Sequence, residues 1–291
     1  MKVVFHLGAH CTGEDRLLKS LLKNQGALTP QGIIIPGPSR YRRLIRQTLG
    51  ALHGAAPSHN EQRALLTQIT DELTVKRLIL SAADFLAFVP WVFRHQTLYG
   101  KAPEVTAALG NLFSDASIEF HLSIRNPATF IPAVFGVTTG LTLDKFLYGT
   151  DPYSIKWSNL IKQISNANPR ARVVVWQSED CPMIWSRVMH NLTGTAEALP
   201  LQGEEDILGD RLSEEGLKLY LNYLAANPPK TGRHKQRIIN AFLEKFPNPA
   251  PAPAGTIPDG WTPEMVEELT DLYEQDLVEI SKIPAVKLIR P

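Results

Sequence analysis

The stretch Lys2–Leu22, KVVFHLGAHCTGEDRLLKSLL, decides how the rest of the chain is read. Lys2 to Leu7 is a short apolar β-run built on Val3, Val4 and Phe5. Gly8 to Gly13 is a tight turn, and from Thr12 onward Leu17, Leu18, Leu21 and Leu22 recur at helical spacing. A strand that breaks at glycine and re-enters as a helix presents free backbone N–H groups at the helix N-terminus, an ordinary seat for a phosphate. A structural account competes with this one. Thr12-x-x-Asp15 has the form of a capping box, in which the helix start is satisfied by its own side chains.

The bulk numbers are those of a globular chain. In 291 residues, 44% are apolar and 20% charged, enough to bury one large α/β core or two small ones. A formal net charge of +1 gives no reason to expect nucleic acid or an anionic membrane as partner. No stretch approaches the roughly 20 apolar residues of a membrane span, and the N-terminal apolar run is too short for a signal peptide, so a cytoplasmic protein is expected. Cys11 and Cys181 stand far apart without metal-ligand spacing, so no metal and no disulfide framework are expected.

Further along, Gln31–Pro36 reads as a short extended segment and Ser39–Leu52 as a basic amphipathic helix. Its Arg40, Arg42, Arg43 and Arg46 form either a solvated face or a cationic wall for an anionic ligand. Arg77–Leu80 is a strand that runs into Ser81 and Asp84; Ser81 either faces a ligand crevice at the strand end or caps the next short helix. Trp91–Tyr99 is aromatic-rich, either core or the wall of a binding site. Ser117–Ile124 alternates as a strand, ends in Arg125-Asn126-Pro127 and leads into a helix from Ala128 to Phe135. Asp151–Ile164 reads as one helix with Tyr153, Trp157, Leu160 and Ile164 on one face, Arg172–Gln177 as a buried strand, and Met183–Leu192 and Ser213–Leu224 as helices. Thr231–Arg237 is the strongest basic cluster. Residues 1–246 are expected to form the α/β body of the chain. Residues 247–260 form a Pro/Ala-rich linker, and 261–291 a C-terminal helix and tail. That helix carries Val266, Leu269, Tyr273, Leu277 and Ile280 as an apolar stripe, which must dock on the body or form a homodimer with a second copy.

Two loops carry a resemblance to a known family. The strand–turn–helix at the start resembles the 5′-phosphosulfate loop of PAPS-dependent sulfotransferases, H-x-G-x-x-K-T-G-T-T-x-L, with His6, Gly8, Thr12, Gly13 and Leu17 in place. Cys11 stands at the lysine position, and Glu14 and Asp15 at the two threonines. Arg125-Asn126-Pro127 resembles the family's 3′-phosphate loop, in which a serine follows the arginine by eight residues; here that residue is Ala133.

The resemblance implies one α/β domain over residues 1–246, an open parallel sheet flanked by helices in a three-layer sandwich of the P-loop NTPase type, although no G-x-x-x-x-G-K-[ST] is present to support NTP hydrolysis. It implies PAPS or PAP held by Gly8, Ala9, Cys11, Thr12, Gly13, Arg16, Ser81 and Arg125. His10 would be the acid or base in sulfuryl transfer to a hydroxyl or amine of a small-molecule or carbohydrate acceptor. Two expectations therefore stand side by side. One is a sulfotransferase; the other is a catalytically inactive relative that uses the same crevice, or the C-terminal helix, to bind a ligand or a protein.

Overall fold

The structure, a computed structural model, describes residues 1–52, 54–248 and 258–291, with the backbone alone at Glu14. Residues 249–257 of the expected linker lie outside the described residues. Among the described residues, six strands form one sheet: β1 (Lys2–His6), β2 (Ile33–Ile34), β3 (Arg77–Ser81), β4 (Ser117–Ile124), β5 (Arg172–Gln177) and β6 (Val286–Ile289). Their order is β2-β3-β1-β4-β5-β6 and every pairing is parallel. The helices are α1 (Glu14–Leu22), α2 (Gln25–Leu28), α3 (Pro38–Leu52), α4 (His59–Ile69), α5 (Ala102–Asn111) and α6 (Pro127–Gly136), then α7 (Leu143–Leu147), α8 (Trp157–Ala167), α9 (Cys181–Thr193), α10 (Glu214–Ala226), α11 (Gly232–Lys245) and α12 (Pro263–Ser281).

Because side chains alternate along a strand, a parallel sheet buried on both faces builds two cores. Val3 and Phe5 of β1 pack with Tyr41 and Ile45 of α3, Phe130 of α6, Trp157 of α8 and Tyr273 of α12. Val4, between them, faces the other way, toward Leu17 and Leu18 of α1, Trp185 of α9, Tyr220 of α10 and Ile238 of α11. The result is an α/β open sheet with a helical layer on each side. β1 lies centrally, and the chain leaves it first toward β2 and later crosses it from β3 to β4. That reversal is a topological switch point, where open α/β sheets take ligands at the C-terminal ends of their strands, here β1, β3 and β4.

The C-terminal helix docks on the body. Leu269, Tyr273, Leu277 and Ile280 of the expected stripe are buried, and Val266 is half-buried. Asp276, also on this helix, is 4% exposed and accepts a hydrogen bond from the Ser158 N–H at 3.0 Å. It thereby satisfies a donor in the first turn of α8, whose own N-cap position, Lys156, supplies no side-chain acceptor.

The single helix expected over Asp151–Ile164 is two pieces. Asp151 accepts from the Tyr153 N–H at 3.1 Å and closes a 3-10 turn over Pro152–Ser154, and α8 begins only at Trp157. Trp157, Leu160 and Ile164 share the buried face as expected, whereas Tyr153 belongs to the preceding turn.

Candidate functional site

The glycine loop joins the sheet to α1 above the crevice. Hydrogen bonding to β4 continues beyond β1, from Leu7 N–H to the His121 carbonyl at 2.8 Å and from Ala9 N–H to the Ser123 carbonyl at 2.7 Å. The loop therefore starts as a rigid extension of the sheet. Gly8 has φ +91°, and a Cβ there would meet the Ala83 Cα at 3.3 Å, so only glycine fits without strain. Cys11 (φ 58°) and Gly13 (φ 86°) are also left-handed, and Gly13 is the N-cap residue of α1.

The expected Thr12–Asp15 capping box is replaced by another arrangement. The Thr12 hydroxyl donates to the Ala9 carbonyl at 2.7 Å, and the Asp15 carboxylate reaches across to Arg42 of α3 at 2.9 Å. The physical reason is the left-handed Gly13: with glycine rather than Thr12 at the cap position, no cap side chain is present.

Arg125, at the end of β4, reaches this loop. Its Nη1 donates to the Cys11 carbonyl at 2.9 Å and its Nε to the Thr129 hydroxyl at 2.9 Å. Burial lowers its pKa, with the charge of Glu179 opposing that shift. Glu179 itself accepts from the Asn126 N–H at 2.8 Å, so it supports the turn as well as the charge. The Trp157 indole N–H donates to the Arg125 carbonyl at 2.8 Å and fixes the backbone from which the guanidinium springs. Ala133 is buried within α6, and the hydroxyl beside Arg125 is instead that of Thr129, one helical turn on.

His10 is 4% exposed, and its Nδ1 lies 2.8 Å from the Tyr99 hydroxyl, which also accepts from the His10 backbone N–H at 3.2 Å. Burial pushes the imidazole down to about 4, against the charge of Asp84, so the ring is neutral at pH 7.

Ser81 and Arg16 are directed away from the loop. The Ser81 hydroxyl bonds His6 Nδ1 at 2.8 Å, and Ser81 is 1% exposed. Neither the crevice nor the following 3-10 turn receives that hydroxyl; Ala82 is the N-cap there. The Ser81 carbonyl accepts from the Tyr41 hydroxyl at 2.6 Å and from Arg42 Nε at 3.0 Å. Arg16 donates to the Asp206 carbonyl at 3.1 Å and pairs with Asp210, within the helical layer to which α1 belongs. The basic cluster at the start of α11 also belongs to that layer, where Lys235 pairs with Glu205 at 2.7 Å.

Arg42 and Arg46 of α3 turn toward the ends of the strands, each paired with a carboxylate. Arg42 holds Asp15 and the Ser81 carbonyl, and Arg46 pairs with Asp84 at 2.5 Å. Arg40 turns outward to Asp71 at 2.7 Å. Sequence reasoning named Tyr99 only as part of an aromatic wall and did not single out Thr129; the spacing Arg125-x-x-x-Thr129, one turn apart at a helix start, is the signal for the latter.

Among the described residues, no group of three or more His, Cys, Asp or Glu side chains is placed to hold a metal ion, and no helix is long and apolar enough to cross a membrane. Compared with protein-family models, curated proteins and solved structures, the chain matches none.

Proposed function

We infer that the protein is sulfotransferase-like: its crevice binds the phosphates of an adenosine 3′,5′-bisphosphate nucleotide and serves sulfuryl transfer to a hydroxyl or amine acceptor. The observation that carries this reading is the bond from Arg125 to the Cys11 carbonyl, which brings a guanidinium from the end of β4 against a glycine loop at a helix N-terminus. Backbone N–H groups and a helix dipole favour an anion at that loop, and a guanidinium fork suits a phosphate. The residues fit the group in part: the Ala9 and His10 N–H groups are taken by Ser123 and Tyr99, so the turn Cys11–Gly13 at the start of α1 is assigned the 5′-phosphate, and Arg125 with Thr129 the 3′-phosphate. Arg125 gives Nε and Nη1 to the protein, so Nη2 is the nitrogen assigned to the ligand. Arg16 and Ser81, each engaged elsewhere, have no part in it. PAPS, when bound, supplies the sulfuryl group.

The chain's own contribution to the chemistry is proton removal. With Nδ1 protonated and donating to Tyr99, His10 Nε2 is the acceptor nitrogen for the proton of an attacking hydroxyl. Being held near 4, it is neutral at pH 7 and a weak base, and Tyr99 fixes its orientation.

One observation favours a second reading, a non-catalytic binding module on the same crevice. Cys11 occupies the position where the family's lysine would meet the negative charge developing on the leaving group, and a neutral His10 adds no cation. Thermal melting with PAP and with AMP tests the common part. Ligand at about 100 times its Kd stabilises by about 2.7 kcal/mol, so PAP raises the melting temperature and AMP, without the 3′-phosphate, raises it less. No rise with PAP at millimolar concentration removes the transfer reading and leaves only a binding module for another ligand.

A further inference from the structure

Beside the loop, on the far side of Tyr99, lies a cavity of about 230 Å³ with walls from α3 and the segment 84–105. Its lining is chiefly aromatic: Phe85, Phe88, Trp91 and Tyr99. Two of these rings remain unusually open to solvent, Phe88 at 40% and Trp91 at 44% exposure, and they meet edge to face at 5.2 Å. Exposed aromatics gathered at a cavity mark a binding surface more often than a packing defect.

Cations stand against both open rings. The Arg46 guanidinium lies 5.0 Å from the Phe88 centroid, and that of Arg94 5.1 Å from the Trp91 centroid. Lys101 completes the rim, so three cations face one carboxylate, Asp84, which Arg46 already pairs. The backbone that shapes the wall is itself held in a sparsely populated conformation. His95, Gln96 and Tyr99 all have positive φ, at 68°, 58° and 50°, a concentration of left-handed non-glycine residues typical of functional loops.

We propose that this cavity binds a small planar aromatic acid, with its ring system against the aromatic wall of Phe85, Phe88 and Trp91 and its acidic group on Arg94 and Lys101. The size limits the ligand to one or two rings, since cavities for drug-sized molecules run to about 300–1,000 Å³. The excess of two cations sets the sign of its charge. The binding assignment stands on the cavity alone. It rests on the transfer reading only in making this molecule the acceptor, whose hydroxyl would lie on the Tyr99–His10 side of the cavity.

The test is calorimetric titration at pH 7 with 2-naphthoate and with neutral 2-naphthol, which share a ring system and differ in charge. The acid binds at least about tenfold tighter than the phenol. Arg94→Gln with Lys101→Gln, both exposed positions, brings the two within about twofold, and Trp91→Ala weakens both by about tenfold. Equal affinities in the wild type, no binding of either at millimolar concentration, or a Trp91→Ala variant that binds as well as wild type overturns the proposal. A separate titration with PAP keeps the two ideas apart. Naphthoate binding without PAP binding leaves the cavity assignment standing and removes the transfer reading; the converse does the reverse.

Discussion

Glu119→Gln is the substitution whose cost can be worked most fully from the structure. Glu119 points from β4 into the second core and is 4% exposed. Its carboxylate takes hydrogen bonds from Lys2 at 2.7 Å and from Arg77, and lies 3.4 Å from His121 Nε2. Burial works against its charge, but His121, Lys2 and the Arg77 guanidinium together hold the carboxyl well below its ordinary 4.5. Arg77, 9% exposed, would keep its bonds to the carbonyls of Leu192 and Asn191 but lose its counter-charge. Removing one member of a buried pair costs about 3–5 kcal/mol. The Lys2 side chain is 40% exposed, and its share is at most about 1 kcal/mol. Glutamine keeps the volume and one acceptor, so the expected loss is about 3 kcal/mol, or roughly 6–12 °C in melting temperature.

Urea unfolding followed by tryptophan fluorescence measures this loss. The pH dependence carries a second signature. A carboxylate depressed in the folded state stabilises above its unfolded pKa, and that contribution drains away as pH falls below about 4.5. The variant should be flatter than wild type in that range. Adding Arg77→Met to the variant should recover only part of the loss, because the Leu192 and Asn191 carbonyls then lose their donor. A loss below about 1 kcal/mol, with unchanged acid sensitivity, refutes the reasoning.

Three other outcomes are expected. His10 should titrate by NMR with a midpoint about 4, and its depressed pKa makes stability fall as pH drops from 6.5 toward 4; a midpoint near 6.5 contradicts the burial seen here. Gly8→Ala should destabilise by about 1–3 kcal/mol in chemical unfolding, since it combines positive φ with a clash at Ala83, and a neutral result would mean the loop relaxes freely. Tyr99→Phe should leave PAP affinity within about twofold of wild type while removing the partner of His10 Nδ1, seen as a change in the imidazole 15N shifts that report its tautomer; unchanged shifts deny the Tyr99–His10 contact any role in orienting the ring.

Much of the fold was legible because the sheet's strands are dense apolar runs. Ser117–Ile124 and Arg172–Gln177 begin and end where their residues predict, and α12 buries the stripe its spacing prescribes. The elements α2, α5, α7 and β6 escaped. β6 has only four residues, and its pairing to β5 is a tertiary fact that alternation over Val286–Ile289 cannot convey. α5 carries Pro103 at its start and Gly110 near its end, which mute its helical period. At the site, the glycine turn, Arg125 and the α3 arginines were readable, but side-chain direction was not. Ser81 shares a sheet face with His6, its register partner on β1, and that parity turns its hydroxyl into the second core. Arg16 likewise follows α1 onto the layer of Asp206 and Asp210. The direction of Asp15 depended on Arg42, which is distant in sequence and adjacent only after folding.

The most direct test of the central claim is calorimetric titration of the protein with PAP, repeated with Arg125→Ala. The account predicts micromolar binding to the wild type, near −8 kcal/mol. Loss of a charged hydrogen-bonding partner worth about 1.5–3 kcal/mol weakens it about ten- to hundredfold in the variant. No heat of binding at millimolar PAP, or equal affinity in the two proteins, contradicts it.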